Sequence, residues 1–289
     1  STEGIYTPFT TLDLPNPKSK QKYVYVYEQT GYITHDNKIT LFDLNNLQQG
    51  VPPTTIQTLT IGDPNTDITD IYVDLDYIYV TLEGGNSDFF ILENTATYSV
   101  LGEINIGSMN VTSLFISEDL TRAYIGTEDN LGNEFFILDI SDKSVTYPIV
   151  NSADLGGTSV EALVSADQRV MIGGSDGTEY TVFVVEDEQN MYQCGSLEVD
   201  TGINMLTLVE KDPALYTYIL TGDSNKELQI IKGGPGGGGP EGDGYVESGE
   251  YLSEIYDSGT TTSIYYVLGL TTEVPSGTTL QIQLRTSND

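Results

Sequence analysis

Oxygen-bearing side chains are concentrated in one short segment, IGDPNTDITD at residues 61–70. They recur at nearly alternate positions: Asp63, Asn65, Asp67 and Asp70. This spacing suits Ca²⁺, which takes about six to eight oxygen ligands. The segment departs from the EF-hand pattern, because it lacks a glycine at the sixth position and a glutamate at the twelfth. Since Asp and Asn also favour turns without metal, a calcium site and a plain turn both remain open.

Carboxylates also recur after short apolar runs, at Asp43, Glu93, Asp139 and Glu186. Glycoside-cleaving enzymes use carboxylates about 5 to 10 Å apart, so these residues are the candidates for such chemistry. Their occurrence at the same place in successive repeats indicates instead that they end strands. The chain has 20 Tyr but no Trp to serve as a sugar platform. We therefore expect no catalysis, with a carbohydrate-binding or glycoside-cleaving protein as the alternative.

The single histidine and the single cysteine, His35 and Cys194, offer little further chemistry. One cysteine forms no intramolecular disulfide, and the pair cannot complete a zinc site. Cys194 lies in an alternating stretch typical of a strand, whereas His35 lies in a polar stretch expected to be a loop. No nucleophile-elbow, Walker or dinucleotide-binding pattern occurs in a suitable context. We expect no cofactor other than calcium.

The charge balance limits the class of partner. Among 289 residues, 43 are acidic and 11 are Lys or Arg, which gives a formal net charge of −32. Such a surface repels nucleic acid and anionic membranes. No apolar run is long enough to span a bilayer, and the sequence shown opens with no signal peptide. We expect an extracellular or cell-surface protein that contacts protein or glycan.

Short strand-like segments predominate, rich in Val, Ile, Tyr, Phe and Thr and bounded by Gly, Asp, Asn and Pro. This texture is typical of β-sheet proteins. One apolar motif recurs at an interval of about 46 residues, within the roughly 40 to 50 residues of a four-stranded propeller blade. Its copies begin at Leu41, Phe89, Phe135, Val182 and Leu228. Polar turns recur with the same interval at residues 117–122 and 165–169.

These repeats predict an all-β chain with a β-propeller of about five four-stranded blades over residues 1–232. We place the blades at 5–61, 68–107, 111–150, 159–200 and 203–232. Residues 5–14 are either an inner strand of the first blade or the outer strand of the last. A Gly/Pro-rich linker follows at 233–244. Residues 245–289 read as a small, sandwich-like β module. Since about 45 residues are few for an independent sandwich, we expect it either to dock on the propeller or to be part of a larger domain.

The segment from Glu134 to Asp142, EFFILDISD, resembles the repeat of LVIVD-repeat β-propellers. Weaker copies start at Leu41, Phe90 and Val184. The resemblance implies a propeller from an extracellular or surface protein, in a family mostly without known catalysis. Residues 275–286, PSGTTLQIQLRT, resemble a hairpin found in β modules appended to bacterial secreted proteins.

The sequence therefore favours a non-catalytic surface protein that acts in binding, adhesion or assembly through a propeller face. The sequence shown ends soon after the 275–286 hairpin. This suggests either a truncated or processed chain or a strand supplied by another molecule. In the second case subunits exchange strands to form a filament or array.

Overall fold

The computed structural model describes residues 9–12, 23–107, 110–128, 132–144, 146–199, 201–211 and 214–233. The chain divides into two compact units, residues 1–245 and 246–289. The second unit and nearly all of the predicted linker lie outside the described residues. The predicted domain boundaries accordingly stay predictions.

Five antiparallel sheets occupy the described residues, four with four strands and the last with three. The first sheet contains β1 (Val24–Tyr27), β2 (Thr30–His35), β3 (Lys38–Asp43) and β4 (Thr54–Thr60). The second contains β5 (Asp67–Val73), β6 (Tyr77–Glu83), β7 (Phe89–Glu93) and β8 (Val100–Ile104). The third contains β9 (Val111–Ile116), β10 (Arg122–Thr127), β11 (Phe135–Asp139) and β12 (Ile149–Ala153).

The fourth sheet contains β13 (Val160–Ala166), β14 (Arg169–Gly174), β15 (Tyr180–Val184) and β16 (Tyr192–Leu197). The fifth contains β17 (Ile203–Lys211), β18 (Ala214–Thr221) and β19 (Leu228–Gly233). The only helical element within the described ranges is a 3-10 turn at Glu188–Asn190. No helix in this part of the chain is long and apolar enough to cross a membrane.

The sheets are arranged as propeller blades. Within each sheet the strands neighbour one another in chain order. The first strand of each sheet contacts the first strand of the next, from β1 through β5, β9 and β13 to β17. The first strands are therefore innermost. The prediction of an all-β propeller is confirmed, and the drafted blades coincide closely with the five sheets.

Each pair of successive sheets shares a hydrophobic core. Four clusters of buried side chains join the first sheet to the second, the second to the third, the third to the fourth and the fourth to the fifth. The third strands β7 and β11 are buried on both faces, as their FFIL sequences suggest. A sheet apolar on both faces reads as a continuous hydrophobic run instead of an alternating one.

Two of the predicted repeat copies are out of register by two residues. Pairing with the second strand makes Tyr180 the equivalent of Phe135, because they lie opposite Gly173 and Gly126 respectively. The fourth copy therefore starts at Tyr180 and not at Val182. The same comparison, made between the strand pairings of the first and second sheets, shows that the first copy starts at Ile39 and not at Leu41. Side chains alternate between the two faces of a strand with a period of two. A two-residue shift therefore keeps the same side chains on each face, and the sequence pattern does not reveal it.

Residues 9–12 lie beside the connection between β3 and β4. The carbonyl of Phe9 accepts a hydrogen bond from the Gly50 N–H at 2.8 Å, and the Thr10 hydroxyl donates to the Val51 carbonyl at 2.6 Å. These four residues form no strand. They are neither an inner strand of the first sheet nor an outer strand of the fifth, and the rest of the 5–14 segment lies outside the described residues.

A buried acidic residue precedes the third strand in the second, third and fourth sheets. Asp88, Glu134 and Glu179 are 2%, 0% and 4% exposed. Each carboxylate accepts a backbone N–H from the segment after the outermost strand: Ile106 at 2.8 Å, Leu155 at 2.7 Å and Val199 at 2.9 Å. A buried polar side chain is tolerated only with such hydrogen-bond partners. These acids fix the passage from one blade to the next.

Replacing Glu179 by Ala should lower the free energy of unfolding by about 1 to 3 kcal/mol, because the buried Val199 N–H loses its acceptor. Glu179→Gln keeps an amide oxygen and should lose less. Urea denaturation followed by circular dichroism measures both. The control is Glu103→Ala on exposed β8, expected to change stability by no more than about 0.5 kcal/mol. Equal losses in Glu179→Ala and the control would contradict this anchoring role.

Candidate functional site

A groove of about 680 Å³ lies between the third and fourth sheets. Three connections form its walls: the turn between β9 and β10, the turn between β13 and β14, and the connection from β15 to β16 that contains the 3-10 turn. The three connections lie together because strand direction alternates in an antiparallel sheet, so that all three emerge at the same end of their sheets. We call this end the groove end.

Arg122 links the two sheets across the groove. Its Nε donates to Oε1 of Glu188 at 2.6 Å, and its guanidinium also donates to Oδ1 of Asp139 at 3.1 Å. The hydrogen bond to Glu188 raises the pKa of Arg122. Two carboxylates therefore neutralise the one cation of the groove.

Hydrogen bonds within each connection hold the walls in place. Oδ1 of Asp119 accepts from the hydroxyls of Ser117 at 2.6 Å and Thr121 at 2.9 Å. The bond from Ser117 lowers the pKa of Asp119. Asp187 caps the 3-10 turn by accepting from the Gln189 N–H at 3.2 Å. These short-range bonds are typical of Asp in turns.

Aromatic rings lie beneath the polar walls. Phe115 and Tyr124 line the groove with their ring centroids 6.4 Å apart. Tyr124 stacks in turn on Phe135 at 6.3 Å. Tyr124 is 5% exposed, and burial raises its pKa. A rigid aromatic floor under carboxylate walls suits a cationic side chain, which gains both ion pairing and cation–π contact.

The groove is strongly acidic. Its carboxylates are Glu118, Asp119, Asp167, Glu186, Asp187 and Glu188, and Arg122 is the single base among its lining residues. The pKa values of Asp119 and Asp139 are lowered, chiefly by hydrogen bonds from Ser117 and Ser141. A general acid needs the opposite shift, so these two groups are suited to binding cations.

A second acidic region lies at the opposite end of the strands, away from the groove. Burial raises the pKa values of Glu83 and Glu161, and the charge of Glu128 raises both further. Burial also raises the pKa of Asp70 to about 6, although the N–H groups of Ile71 and Leu114 donate to its carboxylate. Glu128 is thus near enough to influence both Glu83 and Glu161 electrostatically.

The predicted calcium ligands have separate hydrogen-bond partners in the structure. The Asp63 carboxylate accepts from Asn86 Nδ2 at 2.7 Å, whereas the Asp70 carboxylate binds the N–H groups of Ile71 and Leu114 at 2.7 and 3.0 Å. Asn65 lies in the turn before β5, and Asp67 begins β5. No group of three or more His, Cys, Asp or Glu side chains suited to a metal occurs within the described ranges. Calcium binding at this segment stays a prediction.

The repeated carboxylates end strands, with one correction. Asp43, Glu93 and Asp139 are the last residues of β3, β7 and β11. Glu186 does not share their position: Val184 lies opposite Arg169 as Asp139 lies opposite Arg122, so Glu186 falls two residues later. The third strand of each sheet lies two positions outward from the innermost strand of that sheet. These carboxylates therefore do not line the inner edge of their sheets.

His35 and Cys194 lie in different sheets and form no pair. The expectation of a loop at His35 was wrong, because His35 ends β2, is 1% exposed and shares a hydrogen bond with the Thr40 hydroxyl at 3.0 Å. The hairpin turn is limited to Asp36 and Asn37, which allows β2 to include His35. Cys194 is partly buried on β16, and burial raises its pKa.

The residues that the structure does bring together escaped the sequence analysis. The turns that contribute Asp119 and Asp167 were predicted as turns, but their meeting across two sheets depends on blade order in space. Glu83, Glu128 and Glu161 lie on three sheets in the same way. Glu83 ends β6, Glu128 directly follows β10 and Glu161 lies on β13, so the three occupy different positions in their sheets and no common sequence signal identifies them.

Solved structures with a similar fold are β-propellers of varied roles. They include the β-propeller domain of Cps50 (Swd1) from Myceliophteria thermophila, with a TM-score of 0.55, 10% identity and coverage of 70% of this chain and 65% of that chain. A chain of a mitotic checkpoint complex gives a TM-score of 0.54 and 11% identity, with 72% of this chain and 60% of that chain covered. A candidate 6-phosphogluconolactonase from Bacteroides uniformis gives 0.57 and 12%, with 72% and 68% covered.

These likenesses show the fold alone. The chain spans 65% and 60% of the lengths of the first two proteins. No family model matches the sequence, and no curated protein matches it. The resemblance to LVIVD-repeat proteins is confirmed only as far as the propeller.

The raised pKa of Asp70 predicts a distinct pH dependence of stability. Asp70 ionises less readily in the folded protein than in the unfolded chain, so its contribution is fully present below its ordinary pKa of 3.8 and is lost as the pH rises through about 6. The unfolding free energy of the wild type should therefore fall relative to that of Asp70→Asn across this window. Urea denaturation at several pH values measures the difference.

Asp119→Asn supplies a control of opposite sign, because the pKa of Asp119 is lowered. Its contribution should be present above its ordinary pKa and be lost as the pH falls. A pH-independent difference between the wild type and Asp70→Asn would show that Asp70 does not titrate abnormally.

Proposed function

We propose that this chain is a non-catalytic binding protein whose groove holds cationic side chains of a protein partner. The observation that carries the proposal is an acidic groove over an aromatic floor, in which the one cation, Arg122, already has two carboxylate partners. Six carboxylates line this groove, so their field favours Lys or Arg from outside. Propellers bind many kinds of partner, so the partner proposed here is inferred from the residues of the groove and not from the fold.

The proposed setting is outside the cell, in adhesion or in assembly of a surface structure. The net charge of −32 supports a soluble surface that repels nucleic acid and anionic lipid. Kinship with LVIVD-repeat propellers, suggested by the motif at residues 134–142, supports the same setting. Strand exchange between subunits belongs to this proposal as one route to assembly.

A short Arg-rich peptide should bind the protein, and a Glu-rich peptide of equal length should not. Binding should weaken as salt rises, because exposed charges are screened. Removing one groove carboxylate with Glu118→Gln or Glu186→Gln should weaken binding about two- to fivefold, since an exposed charge pair is worth up to about 1 kcal/mol. Isothermal titration calorimetry measures each affinity.

Glu103→Gln is the matched control, because Glu103 is exposed on β8 and does not line the groove. It removes the same charge from the chain and should leave affinity nearly unchanged. Equal weakening by Glu103→Gln and the groove variants would indicate attraction to the whole acidic surface and would refute the groove as the binding site.

A carbohydrate-active protein is the second candidate, supported by the raised pKa values of Glu83 and Glu161. Glycoside cleavage uses a general acid whose pKa is raised, and the shifts of these two carboxyl groups are in that direction. Two similar structures are candidate 6-phosphogluconolactonases, at 11% and 12% identity, but an acidic surface disfavours a phosphorylated sugar. This candidate therefore takes a neutral glycan.

A screen of chromogenic glycosides and a glycan array test this second candidate. Cleavage or binding by the wild type that Glu161→Gln abolishes, and Glu103→Gln retains, would establish it. Silence of the folded wild type in both assays would remove it and leave protein binding.

A further inference from the structure

The first sheet exposes apolar side chains at positions that are buried in the other sheets. Val24 lies opposite Ile33 on β2, as Ile71 lies opposite Val80 on β6 and Leu163 opposite Ile172 on β14. Ile71 and Leu163 are 5% and 6% exposed, whereas Val24 is 67% exposed. Val26, two residues further along β1, is also exposed, at 55%. We call Val24 and Val26 the first-sheet face.

The fifth sheet exposes the complementary side. Leu228 and Ile230 on β19 correspond to Phe89 and Ile91 on β7, by their pairing with Leu220 and Tyr218 on β18. Phe89 and Ile91 are both 0% exposed, whereas Leu228 and Ile230 are 58% and 55% exposed. Strand pairing places two more exposed apolar residues on this side, Met205 and Leu220. We call Met205, Leu220, Leu228 and Ile230 the fifth-sheet face.

The two faces are the two halves of one repeated interface. In the second sheet, Ile71 and Val73 pack towards the first sheet, whereas Phe89 and Ile91 pack towards the third. The first-sheet face repeats the former side and the fifth-sheet face the latter. Both are exposed in this chain, so neither covers the other here. Exposed apolar patches of this kind mark interaction sites.

We propose that the fifth-sheet face of one copy packs on the first-sheet face of a second copy, in a head-to-tail assembly. Each face fits the other because the chain already uses their equivalents at its four internal sheet-to-sheet cores. The contact is heterologous, so it leaves a free face at each end and continues until it closes. It uses residues outside the groove and does not depend on the proposed partner of the groove.

The charge of the chain sets the conditions for assembly. Two copies of net charge −32 repel one another in dilute buffer. Salt screens this repulsion, with a Debye length of about 3 Å at 1 M. Assembly through apolar faces should therefore strengthen as salt rises, opposite to binding of a cationic peptide at the groove.

Sedimentation velocity of the full chain in high salt tests the proposal. The wild type should sediment as species above 31.5 kDa that grow with concentration. Val26→Glu blocks the first-sheet face, and Ile230→Glu blocks the fifth-sheet face. Each variant alone should sediment at 31.5 kDa. An equimolar mixture of the two should form a dimer of twice that mass, because one intact pair of faces remains.

Val100→Glu is the matched control, because Val100 is 51% exposed on β8, away from both faces. It should assemble like the wild type. Circular dichroism confirms folding, and Val24→Glu and Leu228→Glu repeat the test at independent positions.

Three outcomes would overturn the proposal. A wild type that stays at 31.5 kDa in high salt would show that another segment or protein covers the faces. A mixture that stays monomeric would exclude head-to-tail pairing. Blocked variants that assemble like the control would place the contact elsewhere.

Discussion

The structure depends on one constraint: each sheet is apolar on both faces, and both faces are buried only where a neighbouring sheet packs on each side. A single antiparallel sheet can leave one face in water, and its strands then alternate between apolar and polar residues. The FFIL runs of β7 and β11 do not alternate, and all of these side chains are buried. In a stack of such sheets, the first and the last sheet each keep one apolar face that no other sheet of the stack covers. The order of the blades, the buried acids between them and the exposed terminal faces all follow from this.

The acids Asp88, Glu134 and Glu179 show how the constraint extends to polar groups. A chain that passes from the outer strand of one sheet to the inner strand of the next must cross the packed region, where its N–H groups lose water. A carboxylate placed just before the third strand accepts one such N–H in each of three sheets. An acidic composition thus serves the interior as well as the surface.

Much of the fold was predictable because sheets that are apolar on both faces require an apolar motif that recurs along the sequence. The recurrence of apolar motifs at Phe89, Phe135 and Leu228 identified the sheets and their number. The register of the first and fourth copies was not predictable, since a two-residue shift at Tyr180 or Ile39 preserves which side chains share a face. His35 was misplaced because a short turn and a buried polar residue resemble a loop in composition. The groove lies beyond sequence reasoning, because Arg122 and Glu188 are joined only through the contact of two sheets.

The two ends of the sheets carry acids in different electrostatic states, and this decides what each can do. At the groove end, hydrogen bonds from hydroxyl and N–H groups lower the pKa of Asp119 and of Asp139. Such groups stay ionised through neutral pH and bind a cation without exchanging protons. At the opposite end, burial and the nearby charge of Glu128 raise the pKa of Glu83 and of Glu161. A cation bound there would favour the ionised carboxylates and would oppose this upward shift. The groove is therefore the end at which the proposed ion-pairing partner would meet carboxylates whose pKa values are lowered.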